Sequence, residues 1–214
     1  MEIHSEEINF DLADIDWFCS INGFFIHVAS NGGRLPSNIN HSFQELSRQK
    51  QLVFSTEAKL PYGVDTNFAN RQFGYEYLND ISPESKNEFL KPPDFTNDSI
   101  EFNPRLTDVG KSYSWSFIEM AQRGFYSFDR VNEDEYHLVA WPRRSLRGRN
   151  KTLYESIDRS IPHFFINRFS SRSHNNFFPY FYKHRLPKHI PDKLKLVDII
   201  ESETIDSLIE PENR

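Results

Sequence analysis

The chain has 214 residues, a formal net charge of -6, and hydrophobic and aromatic fractions of 37% and 15%. Its 20 phenylalanines exclude a wholly disordered chain, which lacks such content. A mean hydropathy of -0.66, with no apolar run near the roughly 20 residues that cross a bilayer, excludes a membrane-spanning reading.

The first predicted element is a hairpin over residues 15–29. Asn22-Gly23 is the dipeptide favoured by a two-residue type I′ turn, in which both central residues need positive φ. Folding there pairs Ile21 with Phe24, Cys19 with Ile26 and Trp17 with Val28. One face then carries Ile15, Trp17, Cys19, Ile21, Phe24, Ile26 and Val28, all apolar. The other carries Asp16, Phe18, Ser20, Phe25, His27 and Ala29. A slip of one residue would scramble the two sets, so the pattern specifies the register.

Asn31-Gly32-Gly33 ends the hairpin and Pro36 prevents its continuation. Ser42 and Glu45 have the spacing of a capping box, predicting a helix that carries Phe43 and Leu46. Phe73, Tyr75 and Tyr77 alternate as in a short strand, and a short helix is expected from Ser82-Pro83 to about Leu90. A longer helix is predicted from Thr107 to about Arg123, with Val109, Tyr113, Phe117 and Met120 inward and Gly124 as its stop. A second hairpin follows, Phe125–Val131 with Tyr136–Trp141. Both of its faces are mixed, implying burial on both sides or a solvent-facing edge. Thr152 and Glu155 form another capping box, for a helix reaching Ile161 and stopped by Pro162. From Pro191 to Glu210 the apolar spacing is near-helical, with a strand over Leu194–Ile200 as the alternative.

These elements define an α+β fold in which antiparallel hairpins, about 15–29 and 125–141, pack against several short helices. The expected organisation is one compact domain over 1–214, with a subdivision near 105–107 as the alternative and an acidic tail over 196–214. No internal repeat is visible.

Charge is distributed unevenly. Residues 1–107 hold 8 Lys/Arg against 16 Asp/Glu, whereas residues 143–195 hold 13 against 3. Residues 196–214 carry 6 acids and one Arg. Within the basic stretch, Arg143, Arg144, Arg147, Arg149 and Lys151 lead directly into the helix near Leu153. Arg168 and Arg172 follow among Phe164, Phe165, Phe169, Phe177 and Phe178. Guanidinium groups favour carboxylates and phosphates, and aromatic rings among cations also suit single-stranded nucleic acid. The same rings are needed for the core, and the acidic tail can neutralise the cations by folding back on them.

Other chemistry is sparser. Cys19 and His27 have the residue types of an activated thiolate, but the hairpin register sends their side chains to opposite faces. Gly32, Gly33 and Arg34, between a strand and a helix, form a weak candidate anion loop that lacks the Lys-Ser/Thr ending of a phosphate loop. The eight histidines show no metal-ligand spacing, so neither a metal nor another cofactor is expected. A single cysteine points to a reducing compartment. Met1 to Glu7 lacks the basic-then-apolar pattern of a secretion signal, and a cytoplasmic location is expected.

The resulting expectation is a non-enzymatic binding or accessory protein whose basic, aromatic-rich region over 143–195 engages an anionic macromolecule. An acidic protein surface is favoured over single-stranded nucleic acid or RNA. Self-association through the acidic tail and the basic segment is a further option. An enzyme whose groups converge only in three dimensions, using Arg34, His137 or His163, is the alternative from another class.

Overall fold

The computed structural model describes residues 15–31, 35–36, 39, 43–72, 100–144, 151–166, 190–200 and 203–204. The strand expected at Phe73–Tyr77 and the helix expected at 82–90 lie outside the described residues.

The first hairpin forms as its sequence requires. β1 (Asp16–Ile21) and β2 (Phe24–Ala29) pair antiparallel with Trp17 opposite Val28, Cys19 opposite Ile26 and Ile21 opposite Phe24. Asn22 and Gly23 have φ of 52° and 79°, the positive pair of a type I′ turn. After β2 come α1 (Phe43–Phe54), β3 (Tyr62–Val64) and the single turn α2 (Thr66–Ala69).

The long helix is α3 (Asp108–Gln122). Thr107 caps it, its Oγ1 accepting from the Gly110 amide. Asn70, at the end of α2, accepts from both the Thr107 amide and its hydroxyl through Oδ1. A Cβ on Gly110 would collide with that Asn70 oxygen, so the glycine permits the junction between α2 and α3. At the other end Gly124 has a φ of 100°. Its amide donates to Ala121, and the Phe125 amide donates to Met120. This is the paired closure of a Schellman motif, completed by packing of Phe125 with Met120 in one cluster.

Gly124 thereby turns the chain directly into β4 (Tyr126–Arg130), which pairs antiparallel with β5 (Glu135–Pro142). Ser127 opposes Ala140 and Phe128 opposes Leu138, so Val139 is an extra residue on β5. Because of this bulge, Val139 and Ala140 both join the cluster under α3, while Trp141 returns to the other face.

The remaining described elements are α4 (Lys151–Asp158), β6 (His163–Phe165), β7 (Lys193–Lys195), α5 (Leu196–Ile200) and β8 (Glu203–Thr204). The helix α4 begins at Lys151, so Thr152 lies inside its first turn instead of capping it, and it ends at Asp158, short of the expected Ile161. After Pro191 a short strand is followed by a helix, so the strand alternative over Leu194–Ile200 holds only for Leu194 and Lys195, and Leu196–Ile200 is helical.

The eight strands of the described residues form one mixed sheet in the order β3-β5-β4-β2-β1-β6-β8, with β7 also on β5. Two parallel pairings, β2 with β4 and β1 with β6, join the hairpins and the later strands. β3 pairs with residues 140–142 of β5, and β7 with residues 135–137. They are two halves of one interrupted edge strand. The interruption is bridged by the Asp65 amide donating to Val139 and the Leu138 amide donating to Asp192. A Cβ on Gly63 would enter the Trp141 indole, so the edge closes only because that position is glycine.

One sheet face buries Trp17, Cys19, Ile26, Val28, Phe128 and Leu138 with Leu35, Ile39, Ile190 and Ile199. The other packs under α3 through Phe117 and Ile118, and beside α1 and α4 through Phe18, Val53 and Ile157. The mixed faces of the second hairpin thus reflect burial on both sides. The molecule is an α+β protein.

Candidate functional site

Helix-side positions of the strands are where polar side chains gather. Reading across the sheet, Asp16, Ala29, Asp129 and His137 are successive cross-strand partners, and His27 and Ser127 form the neighbouring pair. Directly opposed residues share a face, so strand pairing alone assembles polar groups from four segments.

The first group is a chain running inward from α1. Lys50 donates to Asp16 Oδ2 across 2.9 Å, and Asp16 Oδ1 lies 3.5 Å from His27 Nε2. His27 Nδ1 is 2.6 Å from Ser127 Oγ. With a carboxylate facing Nε2, the proton belongs there, and Nδ1 accepts from the serine hydroxyl. Burial works against ionisation of Asp16, but the hydrogen bonds from His27 and Lys50, together with the Lys50 charge, outweigh it and hold the carboxyl well below its usual range. Serine, histidine and aspartate are also the residue types of acyl-transfer catalysis. Here Ser127 is fully enclosed (0% exposed), His27 is 2% exposed, and the rings of Phe18 and Phe117 stand against the imidazole. A nucleophile must reach its substrate, so the chain serves to satisfy polar groups in the core.

The second group lies at the break in the edge strand. One Asp65 oxygen caps α2 by accepting from the Asn67 and Phe68 amides. The other accepts from His137 Nε2 across 3.0 Å. The Phe68 ring stacks on the imidazole with centroids 3.8 Å apart. Beside it, Tyr113 of α3 donates to Asp129 across 2.5 Å. Burial, and then the charges of Asp129 and Asp65, push the Tyr113 phenol far above its ordinary value, so it remains a hydrogen-bond donor. Asp65, Asp129 and His137 are all buried.

Cys19 belongs to the apolar face, and burial pushes its thiol upward. It is separated from His27 by the alternation of the hairpin. His163 contacts the Asp158 carbonyl through Nε2 at 2.7 Å, as a local closure of the turn before β6.

Of the basic residues singled out in the sequence, Arg143 and Arg144 are exposed immediately after β5. The Arg143 amide donates to the Pro61 carbonyl, fixing the backbone where the basic stretch leaves the sheet. Lys151 is the first residue of α4. Arg147, Arg149, Arg168, Arg172 and the loop residues Gly32, Gly33 and Arg34 lie outside the described residues.

Sequence reading named His137 but missed its partner Asp65 and the Tyr113–Asp129 pair. It also missed the link between His27 and Ser127, which are a hundred positions apart. The available signal was the polar residues in otherwise buried strand positions, as in Tyr126–Arg130, where Ser127 and Asp129 alternate with Tyr126 and Phe128. No group of three or more His, Cys, Asp or Glu side chains among the described residues has an arrangement that could hold a metal ion. No helix of the described residues is long and apolar enough to cross a membrane.

By architecture the chain belongs to the class of α+β proteins built on a mixed sheet. No protein-family model matches it, and neither a curated protein nor a solved structure does so.

Proposed function

We propose that this is a non-enzymatic binding or accessory protein whose basic, aromatic-rich stretch over 143–195 engages an anionic macromolecule, an acidic protein surface ahead of nucleic acid. The observation that carries the reading is the pair of exposed guanidinium-bearing residues, Arg143 and Arg144, at the sheet edge where that stretch begins. The excess of cations over the following residues extends the same charge along the chain. Enclosure of the serine, histidine and carboxylate groups favours binding over catalysis.

One feature favours a protein partner. Phe164 is fully buried and Tyr154 stacks on Phe25 at 6.2 Å, so these two rings are engaged in the core, and among the stretch's described rings Phe165 is the one exposed. A single cysteine, buried in the core, fits a reducing cytoplasmic setting.

The test uses the full chain with fluorescent polyglutamate and a fluorescent single-stranded oligonucleotide, followed by anisotropy over a salt series. Polyglutamate should bind with affinity that falls as salt rises. Replacing Arg143, Arg144, Arg147 and Arg149 with Ala should weaken it about tenfold, as four screened charge contacts together imply. Equal binding by the variant would remove this surface from the proposal. Tighter, equally Arg-dependent binding of the oligonucleotide would reassign the partner to nucleic acid.

A further inference from the structure

No further inference is drawn: the strongest candidate, the Asp65–His137 and Tyr113–Asp129 cluster where the sheet edge passes from β3 to β7, is capped by Phe68 and bonded to its own neighbours, and nothing in the structure shows what would enter it.

Discussion

Across β1, β2, β4 and β5, the face that carries Trp17, Cys19, Ile26, Val28, Phe128 and Leu138 is aliphatic and aromatic. The opposite face interleaves Phe18, Phe25 and Val139 with Asp16, His27, Ser127, Asp129 and His137. Both faces are buried, yet they fail in different ways. The apolar side loses stability through cavities, in proportion to the volume removed. The polar side loses it through orphaned partners, since one deleted atom strands another that water cannot reach.

The largest expected effect is on the apolar side. Trp17 is fully buried and meets Tyr136 edge to face with centroids 6.0 Å apart. Trp17→Ala should destabilise by about 3–5 kcal/mol, read as a lower denaturation midpoint with an unchanged slope. A loss below about 1 kcal/mol would mean that the face can collapse around the missing ring, and the contrast between the faces would fail.

Ser127→Ala tests the polar side with a much smaller change in volume. It removes the hydroxyl that lies 2.6 Å from His27 Nδ1. The cost should be about 1–3 kcal/mol, the desolvation penalty of the stranded imidazole nitrogen. Nuclear magnetic resonance of the imidazole nitrogens provides a second readout, because the Nδ1 signal should lose its hydrogen-bond shift while Nε2 keeps its proton against Asp16. No change in either measurement would show that this pair is incidental to the core.

The two faces also differed in how much of them the residues alone disclosed. The first hairpin was readable because its information is local: Asn22-Gly23 sets the turn, and strict alternation sets the register. The termination of α3 at Gly124 was readable for the same reason. The polar face depends on parallel pairing of β2 with β4, whose partners His27 and Ser127 are brought together by a crossover containing α1, β3, α2 and α3. Nothing near either residue announces the other. The bulge at Val139 hid the second hairpin's faces further, by shifting the alternation of Leu138–Trp141 midway. The basic stretch was legible as charge, but composition carries no geometry. Only Arg143 and Arg144 among its candidate cations have described side chains, and both are exposed.

At Asp65 the polar side performs two tasks with one carboxylate, capping α2 and accepting from His137. Asparagine is an equally good cap but carries no charge. Asp65→Asn should therefore keep α2 while weakening the contact to His137, and Asp65→Ala should lose both. The alanine variant is expected to be less stable than the asparagine variant by about 1 kcal/mol, measured by urea unfolding. Equal stabilities would assign the whole contribution of this residue to the imidazole.

The smallest effect is the most specific, because it depends on pH rather than on the fold as a whole. In the folded protein the Asp16 carboxyl is held below its ordinary value by His27 and Lys50, against the opposing influence of burial. A lowered folded value means that the unfolded chain takes up the proton first as pH falls. The stabilisation is therefore complete above the ordinary carboxylate value of about 4, and it is lost progressively below that as pH falls toward the folded value. Asp16→Asn should reduce stability at neutral pH and flatten this portion of the acid profile, with the two proteins converging as pH drops. Part of Asp16 is open to water, so the difference should also shrink in high salt. Parallel profiles at all pH values would show that the carboxylate's charge contributes nothing to holding α1 against the polar face.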